Sequence, residues 1–227
     1  MNFRQAPSER RVERMFDDIV DRYDIVNDLL SLGLDRWWRR ATLKAMPSRP
    51  GDRVLDFGCG TGALGNELAG RANVIGMDLS QEMLVAARRR VRGVRFVRGS
   101  VFALPFADGV FRGVMSAFVL RNLYDLEQAA EELARVTAPG GALAIVDITG
   151  PRSAWLRKPF DAYFSTVAPL LGKVTGQEEA YRYLSKSLAQ LPEPRVLCDI
   201  LEAAGFRMAR ARGLSGGMVT LWTAIRA

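Results

Sequence analysis

Arg53-Val54-Leu55-Asp56-Phe57-Gly58-Cys59-Gly60-Thr61-Gly62-Ala63-Leu64 is the stretch around which the rest of the chain is organised. Residues suited to a buried strand run into an acid, Asp56. Three alternating glycines follow, and Ala63-Leu64-Gly65-Asn66-Glu67-Leu68-Ala69 then reads as a helix. A strand, a glycine turn and a helix in that order make a nucleotide site. Glycine tolerates positive φ and has no side chain, so a ligand can settle onto the backbone. The helix start beyond it offers unpaired N–H groups to a polar ligand.

Outward from this stretch, residues 52–147 alternate as strands and helices. Strand two ends in Asp78, and Ser80 caps the helix after it. Val94 to Arg98 alternates with period two and reads as strand three. Val110 to Ser116 is strand four, Asp125 to Thr137 an amphipathic helix, and Leu143 to Asp147 a continuous apolar strand five after the turn Pro139-Gly140-Gly141. Two more strands, Phe206 to Arg212 and Met218 to Ile225, close the chain as an antiparallel pair. The pattern predicts an α/β fold: a doubly wound, mostly parallel seven-stranded sheet with one antiparallel edge strand. Helices are expected over Ser8 to Asp21, Leu34 to Met46, Trp155 to Gly172, Glu178 to Leu191 and Pro194 to Ala204. The whole reads as one domain in four parts: a helical lid (1–50), a cofactor-binding core (51–150), a helical substrate cover (151–204) and a C-terminal strand pair (205–227).

The 227 residues are 48% hydrophobic and 25% charged, the balance of a soluble globular protein. No apolar run is long enough to span a membrane. The first residues lack the apolar core of a secretion signal, so a cytoplasmic location is expected. Cys59 and Cys198 lie too far apart in sequence for metal-ligand spacing, and a disulfide framework is not expected. The net charge of +7 suits an anionic neighbour or reflects only an arginine-rich composition. Histidine is absent. That excludes Ser-His-Asp and Cys-His catalysis and histidine-ligated zinc, and leaves proton transfer to Asp, Glu, Tyr, Lys, Cys or water.

The glycine run fits the GxGxxG/A fingerprint of dinucleotide domains and the Asp-x-Gly-x-Gly-x-Gly loop of S-adenosylmethionine (SAM) methyltransferases. Asp78 suits the ribose of either ligand. Asp56, two residues before Gly58, repels a pyrophosphate and attracts the ammonium of a methionine moiety. With the Pro139-Gly140-Gly141 turn and the C-terminal strand pair, this favours SAM over a dehydrogenase cofactor or an empty glycine turn. The expected cofactor shell is Asp56, Gly58, Cys59, Gly60, Thr61 and Gly62 in the loop, Asp78, Leu79 and Met83 after strand two, Ser100 and Val101 after strand three, and Ala117 at the end of strand four. No metal is expected.

Further stretches carry a resemblance: Phe16 to Gly33 with its Tyr23-Asp24-Ile25-Val26-Asn27 core, Leu104-Pro105-Phe106, Phe118-Val119-Leu120-Arg121-Asn122, Pro169 to Lys173, Tyr181 to Ser187, and Gly216-Gly217-Met218. Nearly end to end, the chain resembles the UbiE/MenG family of quinone C-methyltransferases. The resemblance implies SAM as cofactor, a polyprenylated quinol as partner and methylation of its ring. Three departures stand out. Asp35-Arg36-Trp37-Trp38-Arg39 replaces the family's His-Arg-x-Trp-Lys. Ser100 replaces the acid after strand three that contacts adenine. Ala117 stands where the family often has a hydroxyl.

Ring methylation needs a deprotonated quinol hydroxyl, alignment of carbon, methyl and sulfur, and exclusion of water. Arg121, with Asn122, falls at the carboxyl edge of the sheet and remains cationic, so it suits phenolate stabilisation or a salt bridge closing the loop. Tyr23, Asp24 and Asn27 on the lid face the ring or pack and cap helices. Asp147, ending strand five, serves as a base through water or as a strand-end acceptor. Trp155, Phe160, Tyr163, Phe164, Tyr181 and Tyr183 line an isoprenoid channel or form core. The arginine–tryptophan run Arg36 to Arg40 suits peripheral contact with the inner face of a membrane, or a solvated basic face. Methylation of another small molecule is the second reading, and a homodimer is left open. A nucleic-acid-binding protein is disfavoured, because the arginines are dispersed.

Overall fold

A computed structural model describes residues 9–20, 23–151, 153–175 and 191–227. Its seven strands are β1 (Arg53–Phe57), β2 (Asn73–Asp78), β3 (Arg95–Arg98), β4 (Phe111–Ala117), β5 (Thr137–Ile148), β6 (Phe206–Leu214) and β7 (Val219–Arg226). They form one sheet in the order β3-β2-β1-β4-β5-β7-β6. Pairing is parallel from β3 to β5, and β7 runs antiparallel to both β5 and β6. The chain leaves β1 toward β2 and β3, then returns to the other side of β1 as β4. That reversal opens a crevice at the carboxyl ends of β1 and β4, where ligands of such sheets bind.

Helices α1 (Glu9–Ile19), α2 (Tyr23–Ser31) and α3 (Asp35–Lys44) precede the sheet, and α4 (Ala63–Leu68), α5 (Gln81–Arg90) and α6 (Leu126–Val136) connect its strands. α7 (Ala154–Thr175) and α8 (Pro194–Ala203) lie between β5 and β6. Local chemistry sets several boundaries. The Ser80 hydroxyl accepts from the Met83 N–H at 3.0 Å and Asp125 accepts from the Gln128 N–H at 2.8 Å, each capping its helix. Pro194 opens α8, and Gly205, at φ +100°, ends the turn beyond it.

Leu55, Phe57, Phe111, Leu133, Leu143 and Trp222 centre one buried cluster, to which α6 and α8 contribute. Val54, Leu64, Val74, Met115 and Ala144 centre another, with Met46 from the end of the lid. The lid is thus part of the core. Trp38 of α3 is buried against Phe118, Val146 and Leu221, and its indole N–H donates to the Ser215 hydroxyl at 2.9 Å. Strand five is longer than its apolar run. It starts at Thr137, and the Pro139-Gly140-Gly141 turn is an excursion within it, where the register with β4 steps from Phe111–Thr137 to Gly113–Ala142. The helix expected over Glu178 to Leu191 falls largely outside the described residues, as do Tyr181 and Tyr183.

Gly76 in β2 lies under the glycine loop. A Cβ there would sit 2.8 Å from two ring atoms of Phe96 and 3.0 Å from the Cys59 sulfur. Neither the ring nor the buried loop can yield cheaply, so Gly76→Ala should destabilise the protein by about 1–3 kcal/mol in urea titrations. An unchanged midpoint would show that the loop is not packed tightly on β2.

Candidate functional site

The glycine loop takes its shape from three left-handed residues: Gly58, Gly60 and Gly62 have φ of +61°, +53° and +82°. A Cβ on Gly58 would lie 2.4 Å from a methyl of Val119, so the loop after β4 closes directly onto it. Asp78 braces the loop from β2. Its Oδ2 accepts from the Gly60 N–H at 2.8 Å and its Oδ1 from the Ser80 N–H at 3.0 Å. Burial raises the Asp78 carboxyl above its ordinary range, with backbone donors working against the rise.

A cavity opens above this loop. Of the expected cofactor shell, Gly58, Gly60, Asp78, Leu79, Met83, Ser100 and Val101 line it. Cys59, Thr61, Gly62 and Ala117 do not. Cys59 is buried beneath the loop, where desolvation and then the Asp56 and Asp78 charges push its thiol up. The Thr61 hydroxyl donates to Asp24 at 2.8 Å, and Gly62 precedes α4 as its cap. Asp56 also corrects the sequence reading, because it does not face the cavity. Its Oδ2 accepts from the Gly65 N–H at 2.9 Å, which ties the start of α4 to β1. Its Oδ1 is buried without a hydrogen-bond partner.

Among the described residues, the aromatic side chains Phe16, Tyr23, Phe57, Phe102 and Phe118 line this cavity. Their faces favour a cation, and the carboxylate of Asp78 favours it further. The same set opposes a pyrophosphate. The residues therefore fit a sulfonium nucleoside with an ammonium group.

The sequence reading missed the roof. Glu9 and Glu13 of α1 line the cavity with Val12 and Phe16. Glu9, Glu13 and Asp17 recur every four residues and so share one helix face. Glu9 accepts from the Ser100 hydroxyl, Glu13 pairs with Arg98, and Asp17 accepts from the Ser80 hydroxyl at 2.5 Å. That spacing was the signal available in the sequence.

A second, mostly apolar cavity lies beside the first. Leu30, Trp38, Phe160, Tyr163, Phe164 and Met218 line it, together with Asn27, Asp35 and Arg121. Phe118 belongs to both cavities and forms their common wall. It holds a left-handed backbone, φ +66°, with its N–H donating to the Val146 carbonyl at 2.8 Å. Its ring meets Trp38 edge-on at 6.1 Å, and the Arg121 guanidinium lies 6.0 Å from its centroid.

Of the expected catalytic residues, Arg121 lines the second cavity, while Tyr23 and Asn122 line the first. Tyr23 is kept a neutral phenol: burial raises its pKa, against a hydrogen bond with Asn27 and the charges of Arg121 and Arg39. Asp147 lines neither cavity. It is fully buried, and both its oxygens are engaged, Oδ1 by the Arg121 guanidinium and the Ile148 N–H at 2.7 Å, Oδ2 by the Arg121 N–H at 3.2 Å. A base role for it gives way to holding Arg121. Asp24 also lines neither cavity and joins Thr61 and Arg90, fastening α2 to the loop and α5. Asp35 is the one carboxylate in the second cavity among the described residues. It is buried, accepts from the Ser31 hydroxyl at 3.2 Å and pairs with Arg39 at 3.0 Å. Of the aromatic set, Phe160, Tyr163 and Phe164 reach this cavity, whereas Trp155 is exposed.

Comparison with known proteins matches residues 4–226 to the ubiE/COQ5 methyltransferase family. The chain is 42% identical over 212 residues to a demethylmenaquinone methyltransferase of Beutenbergia cavernae, covering 92% of this chain and 88% of that protein. It is 34% identical over 239 residues to the ubiquinone/menaquinone biosynthesis C-methyltransferase UbiE of Hahella chejuensis, covering 99% and 96%. Among solved structures, a SAM-dependent methyltransferase of Thermotoga maritima superposes with a TM-score of 0.66 at 19% identity, over 95% of this chain and 99% of that one.

Burial raises the Asp56 carboxyl to about 7; the Gly65 N–H and Arg39 pull it down and Asp78 adds to the rise. An aspartate in the unfolded chain titrates near about 4. The folded state therefore holds a proton that the unfolded state releases. The stability this confers is complete below about pH 4 and is lost as pH rises through about 7. Each tenfold gain in proton affinity on folding corresponds to about 1.4 kcal/mol. The stability of wild type relative to Asp56→Asn, measured in urea, should therefore fall by a few kcal/mol between pH 4 and 8. A difference that does not vary with pH would contradict the buried, cation-poor setting of Asp56.

Proposed function

The chain belongs to the ubiE/COQ5 methyltransferase family, and from that premise we propose that it methylates a ring carbon of a polyprenylated quinol in quinone biosynthesis. The observation that carries this reading is the pair of cavities meeting at Phe118. One suits a cationic nucleoside, and the other suits a flat apolar ring with a cation at its wall. Relatives named demethylmenaquinone methyltransferase favour a demethylated naphthoquinol as the acceptor to test first.

SAM, when bound, supplies an electrophilic methyl group. The chain's own residues do the rest. The glycine loop and Asp78 bind the cofactor, and Leu79, Met83 and Val101 offer an apolar slot for its base. Phe118 and Tyr23 keep water from the junction of the cavities, where it would compete for the methyl. Asp35 accepts the hydroxyl proton of the quinol; paired with Arg39 and Ser31, each of its oxygens retains a lone pair for that proton. The electron density released moves to the ring carbon ortho to the phenolate. Arg121, permanently charged and held by Asp147, stabilises that phenolate.

The mouth of the second cavity supports contact with an anionic lipid surface. Leu32 lines that cavity, and the exposed Trp37 and Trp155 neighbour its lining residues Trp38 and Leu156 in sequence; Leu32, Trp37 and Trp155 are 75%, 52% and 76% exposed, and Arg36, Arg40 and Lys158 lie near them in sequence. Among the described residues no helix is long and apolar enough to cross a membrane. Such a docked face lets a long isoprenoid tail stay in lipid while the ring enters.

With SAM labelled in its methyl group and a demethylated polyprenyl naphthoquinol or benzoquinol, label should appear on a ring carbon. Label on oxygen, or none with either quinol, would overturn the proposal. Arg121→Gln leaves Asp147 a hydrogen-bond donor and should lower turnover about 100-fold or more, with SAM affinity by calorimetry unchanged; full turnover would remove Arg121 from the site. Co-sedimentation with anionic vesicles should weaken in the double variant Leu32→Ser/Trp155→Ser, and equal binding by both proteins would refute the docking face.

A further inference from the structure

Asn27 stands on α2 one turn beyond Tyr23 and lines the second cavity. Its side chain lies beside the Tyr23 phenol, which borders the first cavity, and it lowers that phenol's pKa. Its Nδ2 atom is buried and has no hydrogen-bond partner. A buried donor left unmade costs about 1–3 kcal/mol, and native interiors rarely tolerate one without a reason. The surroundings supply no acceptor, being largely apolar side chains such as Leu30, Trp38, Phe160 and Met218. The Asp35 carboxylate also lines this cavity but makes no hydrogen bond to Nδ2. The missing acceptor is therefore one that arrives with the ligand.

We propose that the Asn27 Nδ2–H donates to a ring oxygen of the acceptor and so orients the ring against Phe118. This rests on the quinol reading and deepens it. A donor that only the ligand satisfies discriminates: an aromatic ring with hydrogen in place of that oxygen leaves Asn27 unpaired again and is rejected. The same bond favours the phenolate over the phenol, because a hydrogen bond to a charged oxygen is the stronger of the two. The proximity to Tyr23 links ring binding to the wall of the cofactor cavity, since the two residues share one face of α2 a turn apart.

The test uses Asn27→Asp, which keeps the size of the side chain and removes the donor, and Asn27→Leu, which removes the donor without adding charge. Ring binding is read from quenching of tryptophan fluorescence by the quinol, and turnover is followed separately. Both variants should lose about 100-fold in kcat/KM and at least about 10-fold in quinol affinity, while SAM affinity stays at the wild-type value. In Asn27→Asp the rise of kcat with pH should move to higher pH, which lost packing alone would not cause. Of the two acceptors lacking one or other ring hydroxyl, one should bind wild type and Asn27→Leu equally. Wild-type quinol affinity in either variant, or a variant effect that neither deoxy acceptor erases, would overturn the proposal. Wild-type protein that binds the quinol in an Asn27-dependent way yet never methylates it would instead refute the methyl-transfer reading and leave the Asn27 contact standing.

Discussion

The buried ion pair between Arg121 and Asp147 holds the two halves of the site in register. Asp147 ends the longest strand, and Arg121 lies in the short turn that follows β4. Removing either partner would strand a charge in the interior, which costs several kcal/mol. The pair therefore fixes the path of residues 118–122. That path puts Phe118 in a left-handed backbone, presses Val119 against Gly58 and carries Arg121 to the apolar cavity. One electrostatic contact thus sets the distance between the glycine loop and the wall opposite it. Glycine at position 58 is what lets the wall come so near.

Phe118 separates two solvents as well as two cavities. On one side lie the loop amides and the carboxylate of Asp78, suited to a polar cation. On the other lie Leu30, Trp38 and Phe164, suited to a ring and its tail. Charge is concentrated at the seam, where Arg121 and Arg39 both act on Tyr23. In so dry a setting each charge acts with more force than it would in water. Polar groups are few, and nearly all are held by a second residue: Arg121 by Asp147, Asp35 by Arg39 and Ser31, Asp78 by two backbone N–H groups.

The sheet and its order of strands were legible because periodicity and punctuation are local properties. Ser80, Asp125, Pro194 and Gly205 mark boundaries that the structure respects to within a residue or two. The glycine loop, Asp78 and Arg121 were legible for the same reason, each sitting at a strand end. The direction of a side chain is not local. Asp56 and Asp147 both stand at strand ends and both read as facing a ligand. Their oxygens instead serve Gly65 and Arg121, contacts nine and twenty-six residues away. Thr61 and Asp24 looked like separate site residues and prove to be partners of each other. The roof formed by Glu9 and Glu13 depends on how α1 lies across β2 and β3, which no stretch of sequence states alone.

The three carboxylates of α1 work as a latch on an otherwise rigid frame. Two of its contacts are hydrogen bonds to a carboxylate, worth about 1.5–3 kcal/mol each, and one is a partly exposed ion pair worth about 1 kcal/mol or less. The strands beneath are joined by hydrogen-bonded ladders and a packed core. The roof therefore hangs on contacts whose loss would leave the ladders of the sheet intact. The second cavity lies elsewhere, walled by α2, α3 and α7 on the far side of Phe118. Among the described residues Phe118 is the only wall the two cavities share, so the latch closes over one of them and leaves the other untouched.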